Sequence, residues 1–207
     1  VVEDSDAGES IEYWGKEFLG AKNIGFTFKP GLAGMHQAHN LSVAASIGLA
    51  LGIDKDTVKA GIEGVFWPGR LEQVSVSGLN LVLDCAHNPA GIDSFISFLE
   101  SRGATGIDLT FGVLDTKSWH EMVKKLKPYV KTWRLLSPGS ERALPLELLQ
   151  KELQISGIGI RNSADDPRVE VYGDDYERCL RDLMSGEAGP TAYITGSMYM
   201  VCLLYTS

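Results

Sequence analysis

The sharpest chemical signal in this chain is Leu81-Val82-Leu83-Asp84-Cys85-Ala86-His87-Asn88-Pro89. Its apolar run has the composition of a buried strand, and Pro89 suits the first turn of a helix. The run therefore delivers a carboxylate to a strand end, with a histidine and an asparagine on the turn that follows. A carboxylate so placed can accept both hydroxyls of a ribose, while His87 touches a second ligand. The same residues allow a plainer role, in which Asp84 and Asn88 cap the next helix.

Two further segments carry polar groups worth weighing. In Trp67-Pro68-Gly69-Arg70 a fixed turn ends in a guanidinium, whose planar fork can grip phosphate oxygens. Its alternative is a surface arginine on a hinge. In Gly34-Met35-His36-Gln37-Ala38-His39-Asn40 the side chains can face a base or a metal, or simply supply capping groups at a helix start. His36 and His39 have no third ligand nearby, which argues against zinc.

The elements that position these groups fall into two patterns. From 40 to 50 small and apolar residues recur almost all round, which predicts a helix packed on most faces and ending at Gly52. Asp54 then caps a second helix with Val58, Ile62 and Val65 on one stripe. Pro68 biases Trp67 away from helix, so the domain boundary is placed there, with one domain over 1–66 and another over 67–207.

Beyond the break, short apolar runs at 79–85, 107–114, 132–137, 169–172 and 192–195 alternate with amphipathic stretches at 89–101, 117–126, 144–153 and 174–184. This alternation predicts βαβ units around a largely parallel sheet. Residues 72–77 alternate in polarity, as an antiparallel edge strand paired through Gly78 does. In an open parallel sheet ligands sit beyond the carboxyl ends of the strands, which singles out the loops at 84–89, 114–117 and 195–197. Gly157-Ile158-Gly159 reads as a structural turn, since Asn162 replaces the third glycine of a dinucleotide loop.

Composition bounds the function classes. With 207 residues, of which 44% are hydrophobic and 22% charged, the chain is ordinary globular protein, one large domain or one plus part of another. The 19 basic and 27 acidic residues leave a net charge of −8, the wrong sign for binding nucleic acid. Cys85, Cys179 and Cys202 lack the paired spacing of a zinc or redox motif and read as reduced thiols, which suits a cytoplasmic location. The longest weakly polar run, 41–53, is shorter than the roughly 20 residues of a membrane span, so no membrane partner is expected.

Taken in order, Gly-x-His-Gln-x-x-Asn at 34–40, Trp-Pro-Gly-Arg-Leu-Glu at 67–72, Leu-Asp-x-Ala-His-Asn-Pro at 83–89 and Thr-Gly-Ser-x-Tyr at 195–199 form a distinctive set. It resembles the carboxyl-terminal half of the folylpolyglutamate synthase and dihydrofolate synthase family, within the Mur ligase superfamily. The resemblance runs from about Gly34 to Val201. It implies a Rossmann-like α/β domain, with a mostly parallel sheet and an antiparallel edge strand, preceded by a helical remnant of a central ATPase domain. It also implies ligation of the α-amine of L-glutamate to a carboxylate on a pteroate or folate, using ATP and magnesium, through an acyl phosphate. On that resemblance Asn40 matches the asparagine near the adenine, Arg70 the phosphate-side arginine, and Asp84 the nucleotide-binding carboxylate. His87 matches the residue facing the incoming glutamate, with Ser197 beside it. The family resemblance further implies small-molecule partners only and a monomer when intact.

The chain departs from that pattern in places. No Gly-x-x-x-x-Gly-Lys-[Ser/Thr] phosphate loop occurs in it, because Gly15-Lys16-Glu17 lacks the upstream glycine and the hydroxyl residue. The expectation is that the phosphate loop and most magnesium ligands lie in a missing upstream segment and that this polypeptide alone is inactive. Asp115-Thr116-Lys117 stands where the family has an Asp-Lys-Asp loop, so Lys117 receives no catalytic role. Residues 202–207 depart from the family's usual continuation, Gly and a further helix, and the sequence does not tell whether they are native. The alternatives are a Mur-type ligase of cell-wall peptide and a nonenzymatic nucleotide-binding domain; Trp-Pro-Gly-Arg-Leu-Glu and His-Gln favour folate.

Overall fold

The computed structural model describes residues 10–15, 24–159, 167–185 and 190–206. Lys16, Glu17, Asn162, Ser207 and the acidic opening segment lie outside them. The chain forms two compact units, Val1–Pro68 and Gly69–Ser207.

In the first unit, β1 (Ile11–Gly15) and β2 (Ile24–Phe28) pair antiparallel and are followed by α1 (Met35–Ala50) and α2 (Lys55–Glu63). The sequence reading had not foreseen this hairpin. Ile11, Tyr13 and Phe28 pack with Ala38, Leu41, Ala45, Val58 and Ile62 into one core. Asp54 caps α2 as expected, accepting from the N–H groups of Asp56 and Thr57 at 3.1 and 2.9 Å. The expectation for α1 is corrected. Val43 and Ile47 remain 59% and 56% exposed, because the hairpin and α2 cover one side of the helix only.

The second unit alternates as the sequence predicts. Its elements are β3 (Glu72–Val76), β4 (Leu79–Leu83), α3 (Pro89–Ser101), β5 (Ile107–Phe111), α4 (Trp119–Leu126), β6 (Val130–Leu136), α5 (Leu146–Ile155), β7 (Arg168–Gly173), α6 (Tyr176–Met184), β8 (Thr191–Thr195) and α7 (Met198–Thr206). The sheet order is β3-β4-β8-β5-β6-β7. β3 is antiparallel to β4, and every other pairing is parallel. The β3–β4 turn runs through Ser77 and Gly78, both at positive φ, the geometry that matches the twist of a tight hairpin.

Both faces of the sheet are covered, which is why its strands read as nearly continuous apolar runs. On one face Leu79, Leu81, Leu83, Ala192 and Ile194 pack with Cys179 and Leu183 of α6 and Met200 and Val201 of α7. The alternate residues face the other way: Tyr193 meets Phe95 of α3 edge-on at 6.0 Å, and Phe111 meets Trp133 at 5.9 Å. β8 is the last strand in the chain yet sits between β4 and β5, so strand order reverses there. The carboxyl ends of these three strands are the crevice where such sheets take ligands. No helix among the described residues is long and apolar enough to cross a membrane.

Candidate active site at the carboxyl ends of β4 and β8

The apolar run of β4 ends at Leu83, and pairing with β8 persists one step further, as the Asp84 N–H donates to the Ile194 carbonyl at 2.9 Å. Asp84 is therefore held at a strand end, only 6% exposed. Its Oδ1 accepts from the Ala86 N–H at 2.9 Å and its Oδ2 from the Leu71 N–H at 3.1 Å. Burial raises its pKa above the ordinary 3.8, against the opposing pull of the Ala86 and Leu71 N–H groups, the Arg70 charge and the Thr195 hydroxyl. That hydroxyl is fully buried at the end of β8 and lies outside hydrogen-bonding geometry. The helix-capping alternative is thus divided: Asn88 caps α3, accepting from the Gly91 N–H at 2.8 Å, whereas Asp84 ties down two backbone groups outside the helix.

Arg70 stands on the turn that Asp84 secures. The Gly69 N–H donates to Glu72 Oε2 at 2.8 Å, the Gly69 carbonyl accepts from the Cys85 N–H at 2.7 Å, and Leu71 is buried at φ 51. The arginine itself is exposed, and its charge acts on both Asp84 and Cys85.

His87 and Ser197 complete the end of the sheet. The Gly196 N–H donates to the Ala86 carbonyl at 3.0 Å and so joins the β8 loop to the β4 loop. A side chain on Gly196 would meet the Gly112 carbonyl oxygen at 2.5 Å, which is why glycine stands there. Ser197 is buried, its Oγ accepting from the Tyr199 N–H at 3.2 Å. His87 is half-buried with Nδ1 2.9 Å from the Cys85 carbonyl. A carbonyl only accepts, so Nδ1 is the donor in this contact.

The structure thus brings Arg70, Asp84, His87 and Ser197 to one end of one sheet. Asn40 belongs to the first unit, exposed on α1, where its Nδ2 donates to Gln37 Oε1 at 3.1 Å. Asp115 and Lys117 lie in a turn after β5 whose Asp115 N–H donates to the Arg142 carbonyl at 3.0 Å. Among the described residues no cluster of His, Cys, Asp and Glu is gathered to hold a metal ion. The sequence reading passed over Glu72 and Thr195, although both stand inside the motifs it quoted.

Residues 69–198 match the model of the Mur ligase, glutamate ligase domain. The chain belongs to this Mur ligase family. It is 29% identical over 141 residues to folylpolyglutamate synthase of Lacticaseibacillus casei, a match that covers 64% of this chain and 33% of the relative. It is 35% identical over 129 residues to dihydrofolate synthase/folylpolyglutamate synthase of Mycobacterium tuberculosis, covering 57% and 26%. A solved structure of Mycobacterium tuberculosis folylpolyglutamate synthase complexed with ADP superposes with a TM-score of 0.68 at 30% identity, covering 86% of this chain and 41% of that one. The chain spans less than two fifths of the length of the curated relatives it matches. As a Mur ligase domain it has the expected architecture, a mostly parallel six-stranded sheet with one antiparallel edge strand.

Proposed function

We propose that this chain is the carboxyl-terminal part of an ATP-dependent ligase that joins L-glutamate to dihydropteroate or to a folate. The observation that carries the reading is the placing of an exposed Arg70 on a turn held by buried Asp84, at the sheet end that also presents His87 and Ser197. Family membership and folate-synthase relatives support the substrate class.

ATP, when bound, supplies the phosphoryl group that activates the acceptor carboxylate as an acyl phosphate. Arg70 stabilises the negative charge that spreads over the transferring group, an effect strengthened where water is excluded. Asp84 fixes the floor of the nucleotide site and keeps one lone pair per oxygen beyond its two N–H partners. His87 and Ser197 receive the glutamate, whose amine then attacks the acyl carbon and expels phosphate. The sequence carries no Gly-x-x-x-x-Gly-Lys-[Ser/Thr] motif, so the reading leaves the cradling of the triphosphate to residues other than those of this sheet end.

The test uses the intact ligase containing this chain. Arg70→Ala lowers glutamate-dependent ADP formation by about 10²-fold or more, the range for losing a preorganised transition-state contact, with the fold retained. His87→Ala raises the KM for glutamate and leaves nucleotide binding alone. Full turnover by Arg70→Ala would remove Arg70 from the mechanism and the reading with it.

A further inference from the structure

Arg70 is flanked by two backbone N–H groups, and a carboxylate captures each of them. On one side Glu72 accepts from Gly69 at 2.8 Å; on the other Asp84 accepts from Leu71 at 3.1 Å. The Cys85 N–H closes the arch from below by donating to the Gly69 carbonyl at 2.7 Å. Both flanking residues are held at positive φ, 67° for Gly69 and 51° for Leu71. For leucine that conformation is strained, and such strain persists only where the surroundings over-determine it. Leu71 is 2% exposed, so its side chain is a further anchor.

An exposed arginine on a flexible turn spreads its guanidinium over many positions, and catalysis through it then loses the benefit of a prepared site. Here the peptide on either side is fixed, and only the side-chain torsions of Arg70 remain to be ordered. We infer that Glu72 is a positioning residue for Arg70: its carboxylate holds the Gly69 N–H and thereby locks the 69–72 arch against the end of β4. This rests on the reading that Arg70 acts on the transferring phosphoryl group. It assigns Glu72 a duty beyond starting β3, and it makes the arch a rigid part of the second unit.

The experiment is a double-mutant cycle in the intact ligase, with kcat and both KM values measured for Arg70→Ala, Glu72→Ala and the pair. Glu72→Ala should lower kcat by about 10- to 100-fold, the scale of a misplaced catalytic group, with KM for glutamate little changed. In the Arg70→Ala background the same substitution should cost nothing further. Glu72→Gln, whose amide oxygen still accepts the Gly69 N–H, should restore most of the turnover and keeps the test readable if the alanine variant does not fold. A severe Arg70→Ala with an additive or silent Glu72→Ala would overturn the positioning role alone. Full turnover by Arg70→Ala would overturn the phosphoryl reading, and the inference would fall with it.

Discussion

Gly69 and Cys85 touch so closely that any side chain at the first position would force its neighbours to shift. The Cys85 N–H donates to the Gly69 carbonyl at 2.7 Å, and a Cβ on Gly69 would stand 2.5 Å from the Cys85 Sγ and 2.9 Å from Val201 Cγ1. Glycine also supplies the φ of 67°. Both constraints act together at the turn that carries Arg70.

Gly69→Ala is therefore expected to destabilise the second unit by about 2–4 kcal/mol, combining backbone strain with overpacking. The control is Gly78→Ala, where φ is 87° but nothing lies within 4 Å, so strain alone should cost about 1–2 kcal/mol. Urea unfolding of the two variants measures the difference. Equal losses would mean that the Gly69–Cys85 approach is looser than described.

Asp84 gives the site a pH signature whose sign follows from its burial. Its folded pKa lies above the ordinary 3.8, so the folded state holds the proton more tightly than the unfolded chain does. Stability relative to a residue that does not titrate is then full below 3.8 and declines as pH rises through the folded value. The stability of the wild type minus that of Asp84→Asn should fall over that window, measured by urea unfolding from about pH 3.5 to about pH 7. A difference that grows with pH would mean that the two N–H bonds and Arg70 outweigh burial.

The cysteines give a faster check of the β4 end. Burial, followed by the Asp84 charge, pushes the Cys85 thiol up to about 11, and burial does the same for Cys179. Cys202 is exposed. At about pH 8 a thiol reagent should modify Cys202 in the native chain and reach Cys85 and Cys179 only on unfolding, because the thiolate is the reactive form. Rapid native labelling of Cys85 would show that the strand end is open to solvent.

Much of this was legible in the residues. The run 81–84 reads as a strand that ends in a carboxylate because apolar side chains on both faces predict a sheet covered on both sides, and Pro89 and Asn88 mark the helix start. Arg70 was legible as a turn residue, but its anchoring was not. Nothing about a leucine at 71 announces a positive φ, and the Glu72 bond to Gly69 exists only once that turn has formed. The β1–β2 hairpin escaped notice because an alternation as short as Ile11-Glu12-Tyr13 does not stand out until pairing with the second strand supplies the partner. On α1 the apolar residues lie all round, yet periodicity does not reveal which side is covered.

The buried network on the α6 face yields the largest expected loss of stability. Arg134 of β6 is 2% exposed and pairs with Glu170 of β7, donates to the Tyr172 hydroxyl at 2.8 Å, and lies 3.7 Å from Asp108 of β5. Three adjacent parallel strands are thus tied by one guanidinium on the face that α6 covers. Arg134→Met fills the volume but leaves the carboxylates without their counter-charge, and should destabilise by about 3–5 kcal/mol. Asp108→Asn added to it should recover part of that loss, because the more buried acid is the costlier one to leave ionised, and the cycle measures the coupling. If Arg134→Met were neutral in urea unfolding, the network would contribute no net stability, and the sheet would owe its cohesion to apolar packing alone.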